Sequence, residues 1–166
     1  MNMSRKGAMT SGFLVVAVAL TVTGCTSSAY PADPDGTFDD VSGGTLSVGV
    51  VHHPPYVDAT GAEPTGSEVD LIQAFAEEID AEIEWTASGE EALITALETG
   101  DVDLMAGGLT DQSPWSSQAA LTRSYAEDTG PDGKTVNLVL AVPLGENQML
   151  GELERFLDER HPGTTP

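Results

Sequence analysis

The sequence predicts an α/β fold, a mainly parallel sheet flanked by helices. Three observations carry this. Residues 46–51, 81–85 and 102–106 are short apolar or alternating runs of strand length. Between them, Val69, Ile72, Phe75, Ala76 and Ile79, and then Leu93, Ala96 and Leu97, recur at helical spacing and line one face each. The order strand, helix, strand, helix, strand requires crossover connections, which are right-handed and set the strands parallel beneath the helices.

Each element has its own signals. Ser67 with Asp70, and Ser88 with Glu91, have capping-box spacing at the two helix starts. Glu68 and Asp70 are expected to stabilise the first of these starts. Gly100 stands where a left-handed residue ends the second helix. Pro54 and Pro55 stop the first strand, and residues 58–66, with Gly61 and Pro64, read as a hairpin tip. Residues 110–118 read as a loop entering a short helix with Pro114 in its first turn. Residues 121–125 read as a brief extended segment and residues 127–134 as a turn. Residues 136–142 form a continuous apolar strand. In residues 147–160, Met149, Leu150, Leu153, Phe156 and Leu157 give the last helix its core face.

The chain of 166 residues is long enough for one domain with a real core. Its net charge is -21, and all 27 acidic residues follow Cys25. That excludes nucleic acid as a partner and disfavours adhesion to anionic lipid through a basic patch. Acidity of this degree serves solubility or adaptation to salt, or attracts cations; charge alone leaves both readings open. With a single cysteine no intrachain disulfide forms.

Arg5 and Lys6 precede an apolar run over residues 13–22, which has the length of a secretory signal core rather than a membrane span. The run ends in Val22-Thr23-Gly24-Cys25, which resembles the lipobox of bacterial lipoproteins. The resemblance implies cleavage before Cys25 and lipidation of its sulfur, which anchors the chain to the outer face of a bacterial cell membrane. Residues 1–24 are therefore expected to be a signal peptide. Residues 25–43, rich in Ser, Pro, Asp and Gly, are expected to be a flexible tether, residues 44–160 the folded lobe, and residues 161–166 a tail.

Several stretches resemble, in order, the first lobe of the bacterial extracellular solute-binding proteins of family 3, the polar amino-acid binders of ABC importers. Leu46-Ser-Val-Gly-Val-Val51 is similar to that family's first strand, and Pro54-Pro55-Tyr56 to its proline-aromatic loop. Gly66-Ser-Glu-Val-Asp-Leu71 resembles its Gly-aromatic-acid-aliphatic-acid-aliphatic signature, and Gly108-Leu-Thr110 its binding loop. The match spans residues 44–160 and implies a Rossmann-like lobe of the periplasmic-binding-protein type. Ser67 and Phe75 depart from the signature. Trp115 stands where the family places the arginine that clamps a ligand's carboxylate, and tryptophan cannot replace a bidentate guanidinium. The family's second lobe would enter between residues 126 and 135. Only a short turn is expected there, so a single lobe is expected.

Ligands of open α/β sheets bind at the carboxyl ends of the strands. This places His53, Tyr56, Gly108, Thr110 and Trp115 as candidate ligand-binding residues. Tyr56 and Trp115 are flat walls, Thr110 is a hydroxyl, and Gly107 and Gly108 allow N–H groups to approach a ligand. His52 and His53 are weak metal candidates, because adjacent residues of an extended chain point opposite ways and no third ligand has metal-site spacing. No nucleophile elbow, P-loop or dinucleotide fingerprint is present, so neither an enzyme nor a cofactor is expected. The expected function is an extracytoplasmic, lipid-anchored solute-binding-like protein presenting a small solute to an ABC transporter, another membrane transporter or a sensor. Two alternatives stand beside it: an interaction module for a membrane protein that no longer binds solute, and a cation-binding accessory protein.

Overall fold

The computed structural model describes Met1 and residues 33–161. Cys25, the rest of the stretch expected to be a signal peptide, and the end of the tail lie outside the described residues. The order of elements is α1 (Thr37–Val41), β1 (Thr45–Val50), α2 (Ser67–Glu78), β2 (Glu82–Ala87), α3 (Glu90–Thr99), β3 (Leu104–Thr110), β4 (Ala119–Leu121), β5 (Ala126–Thr129), β6 (Thr135–Pro143) and α4 (Asn147–Arg160).

The strands lie in the order β2-β1-β3-β6-β4, with β5 also on β6. Pairing of β1 with β2 and β3 is parallel, while β6 runs against β3, β4 and β5. Five described strands therefore share one direction and β6 opposes them. Period-two alternation sends neighbouring residues of β3 and β6 to opposite faces. Leu104, Ala106, Leu138, Leu140 and Val142 meet α2 and α4 through Ile72, Phe75, Met149, Leu153 and Phe156. Met105, Leu109, Val139 and Ala141 meet α3 through Leu93, Ile94 and Leu97. At the β2 edge, Ile83 and Trp85 turn inward while Glu82 and Glu84 are exposed, and such charges discourage further strand pairing.

Four expectations change in detail. Both helix starts lack a side-chain cap: Gly66 and Gly89 occupy the cap positions, and the following residues are already helical. Thr110 ends β3, and residues 111–118 form turns rather than a helix. The stretch expected to be one turn is a hairpin: β5 pairs with β6 from Ala126↔Leu138 to Thr129↔Thr135, and the turn proper is residues 130–134. Polar side chains in β5 masked this strand, because it lies on an edge and only one side needs apolar contacts. Gly100 does end α3 with φ of 75°.

The fourth change moves the start of the fold. Residues 33–43, expected to be tether, belong to it. Gln148 N–H donates to Asp33 Oδ1 at 3.0 Å, and Val41 is buried in the main core. The buried Glu146 accepts from Asp35 N–H at 3.0 Å and Thr37 N–H at 2.9 Å. Burial pushes this carboxyl up, but the N–H donors of Thr37 and Asp35 outweigh it and hold it below the ordinary 4.5. Its stabilising contribution is therefore present above the unfolded-state pKa and lost as pH falls through the lower folded value. Glu146→Ala is expected to cost about 1–3 kcal/mol. Hydrogen exchange would show the Asp35 and Thr37 amides losing protection first.

Candidate functional site

The site forms where β1 and β3 end. After β1 the chain turns tightly at the prolines. His53 N–H donates to Val57 O at 2.8 Å, and Tyr56 N–H donates to His53 O at 3.0 Å. The loop then docks on the N-terminus of α2: Ser67 N–H donates to Pro55 O and Glu68 N–H to Tyr56 O, at 3.3 and 3.1 Å. Loop carbonyls thus satisfy helix donors that no cap side chain reaches.

Beyond Met105 the register of β3 against β6 shifts, at Gly107 and Gly108 with φ of 149° and 69°. These glycines leave room that other residues would fill. A Cβ on Gly107 would lie 2.6 Å from Val51 Cβ, and one on Gly108 would strike the Tyr56 ring and sit 2.5 Å from His53 Nδ1. Their N–H groups do not face a ligand, as expected from the sequence, but Glu68. Glu68 Oε2 accepts from Gly107 N–H at 2.7 Å and Gly108 N–H at 2.9 Å, and Oε1 accepts from Tyr125 OH at 2.6 Å. Glu68 is 1% exposed. Its role therefore goes well beyond the helix-start stabilisation expected for it. Burial pushes its carboxyl up, against the pull of these three donors. Burial and the Glu68 charge likewise push the Tyr125 hydroxyl up, keeping it a donor.

A ring of contacts surrounds the floor. His53 Nδ1 lies 2.9 Å from Gly107 O; a carbonyl only accepts, so Nδ1 carries a proton. The His53 ring meets Tyr56 edge to face, with centroids 5.2 Å apart. Tyr56 OH donates to Asp128 on β5, which pushes the phenol up to about 12 and holds the Asp128 carboxyl below its usual range. Tyr125, just before β5, closes the ring on Glu68.

Two cavities share His53, Gly108 and Thr110. One, of about 290 Å³, lies between β1 and the loop after β3 and includes Glu90 and Gln112. The other, of about 360 Å³, lies between the proline loop and the β5–β6 hairpin and is lined by Tyr56 from the loop and by Asp128 and Pro131 from the hairpin. The structure thus brings His53, Tyr56, Gly108 and Thr110 together. Trp115 lines neither cavity. Its indole N–H donates to Glu90 Oε1 at 2.5 Å, and its ring packs against the α3 core cluster. An unpaired indole N–H would be costly beside that core, so the ring turns towards α3. His52 lines the smaller cavity, and its Nδ1 accepts from Ala59 N–H at 3.1 Å. Among the described residues no group of three or more His, Cys, Asp or Glu is placed to hold a metal ion.

Sequence reasoning missed Glu68 as a buried clamp, and Asp128 altogether. The acid of the Gly-Ser-Glu-Val-Asp-Leu signature was the available signal for the first. Asp128 lay in a stretch where acids are too common to carry information.

The sequence model of the bacterial extracellular solute-binding proteins, family 3, matches residues 46–159. The chain belongs to this family. No curated protein sequence matches it. Among solved structures it is similar to a mutant of the arginine-bound form of domain 1 from TmArgBP, at 25% identity and a TM-score of 0.65, covering 74% of this chain and 97% of that one. It is also similar in fold to a Salmonella typhimurium periplasmic binding protein of high arginine specificity (14% identity, TM-score 0.61, 72% and 95% covered). A third similar structure is an ancestral amino acid-binding protein, a precursor of cyclohexadienyl dehydratase (16% identity, TM-score 0.64, 78% and 95% covered). As a family 3 chain, this protein has a solute-binding fold reduced to a single lobe. No described helix is long and apolar enough to cross a membrane.

Proposed function

We propose that this family 3 chain is an extracytoplasmic, lipid-anchored solute binder that offers a small-solute site to a membrane transporter or sensor. One observation carries the reading. The cavity of about 360 Å³ has a wall on each side, one from the proline loop and one from the β5–β6 hairpin. A single lobe would otherwise leave a solute half exposed, and buried ligand surface is what holds small molecules. The arginine-bound domain 1 from TmArgBP supports a solute site on a chain matched over almost its whole length. The anchor rests on the Cys25 motif.

Calorimetric titration of the full chain in detergent, with amino acids and small amines, tests this reading. Saturable binding that weakens on Thr110→Val is expected, since Thr110 lines both cavities. A flat titration on folded protein would favour the interaction module instead, a reading that Trp115 motivates by occupying the clamp position and packing inward.

A further inference from the structure

The cavity beneath the hairpin is selective in its charge. None of Arg123, Lys134, Arg155 and Arg160 lines it or its neighbour. Arg123 pairs with Glu154 and Asp158, Arg155 with Glu78, Glu152 and Glu159, and Lys134 with Asp132. The backbone N–H groups of the β3 bulge, the other natural receptors for an anion, are already taken by Glu68. Two means of holding a ligand carboxylate are therefore missing at once. What the cavity does offer is the Asp128 carboxylate as its one charged carboxylate, the Tyr56 ring, the polar His53 and Thr110 side chains, and apolar contact from Pro54, Pro131 and Leu138.

Asp128 has acceptor capacity left. Oδ2 receives the Tyr56 hydroxyl and Oδ1 the Thr129 N–H at 2.6 Å, and each carboxylate oxygen has two lone pairs. Aromatic rings and carboxylates together favour organic cations, the ring through its negative face and the carboxylate through charge-assisted hydrogen bonds.

Building on the solute-binding reading above, we propose that the cavity between the proline loop and the β5–β6 hairpin takes an organic ammonium or guanidinium ion that carries no carboxylate, with Asp128 as its counter-ion. The hairpin then supplies the ligand's charge partner as well as a wall. No Arg or Lys lines the cavity to clamp an α-carboxylate.

A matched pair tests this on the full chain in detergent: L-arginine, and agmatine, which is arginine without its α-carboxylate. Agmatine is expected to bind at least as tightly as arginine. Asp128→Asn keeps an acceptor for the Tyr56 hydroxyl and removes the charge, and is expected to weaken agmatine at least ten-fold with an unchanged melting temperature. Asp132→Asn makes the same charge change outside the cavity and is expected to leave affinity within two-fold. Arginine binding ten-fold tighter than agmatine, or equal losses in the two variants, would overturn the cation assignment and leave solute binding standing. No binding of either compound, or of the wider amino-acid panel, to the folded chain would overturn both.

Discussion

Glu68→Ala is expected to lower stability more than any other single side-chain truncation at the site, by about 3–5 kcal/mol. The carboxylate receives the Gly107 and Gly108 N–H groups and the Tyr125 hydroxyl, all within 2.9 Å. Alanine removes the one carboxylate that all three donors share in this buried site. Each buried donor left unpaired costs about 1–3 kcal/mol. Domains of this size have about 5–15 kcal/mol in total, so the variant sits close to unfolding. Glu68→Gln should lose less, about 1–2 kcal/mol, because one amide oxygen can still receive both glycine N–H groups while the Tyr125 hydroxyl rotates to accept. Urea unfolding at neutral pH checks both values.

The same pair reveals a pH dependence. Glu68 is raised above its ordinary 4.5, so the folded chain holds this proton more tightly than the unfolded chain. Its contribution is fully present below the unfolded-state pKa and declines as pH rises through the folded one. The wild-type urea midpoint should contain that decline, and Glu68→Gln should lack it. Equal slopes in the two proteins over this window would contradict the assignment.

Gly66→Ala should have the second largest effect, about 2–4 kcal/mol. Gly66 has φ of 130°, which side chains avoid. An added Cβ would meet backbone, not a flexible side chain: it would press on Tyr56 O and lie 2.7 Å from Tyr56 C and 2.9 Å from Pro55 O. Relief requires the proline loop to lift from α2, breaking the bonds from Ser67 and Glu68 N–H to its carbonyls. Hydrogen exchange at Ser67 and Glu68 should accelerate along with the drop in melting temperature. Loss of stability with those amides still protected would place the strain elsewhere.

The layers of the fold were legible because burial on both sheet faces leaves strong patterns. Leu46, Val48 and Val50 mark β1, and Met149, Leu153, Phe156 and Leu157 mark α4, whose range Asn147–Arg160 was read as it stands. Elements held by polar contacts were not legible. Helix α1 is fastened by Glu146, more than 100 residues away, and nothing local announces that pairing. β5 buries no residue, with Ala126 half-buried and the rest exposed, and reads as a loop. At the site, Tyr56 and Thr110 could be placed because strand ends gather by topology. The orientation of Trp115 depended on Glu90, and the fate of the glycine N–H groups on Glu68. Both are tertiary choices among many acids that look alike in sequence.

The hairpin between β5 and β6 changes how such a protein would handle time. A wall that is a separate lobe can swing on a hinge, and ligand residence is then set by opening. Here the wall is laced to the sheet by a four-residue ladder and fastened to the loop through Tyr56 and Asp128. It has no hinge to travel on. Exchange of solute should be fast, bound and free forms should share nearly one shape, and a transporter or sensor reading this chain would have to sense the occupant itself rather than a closure.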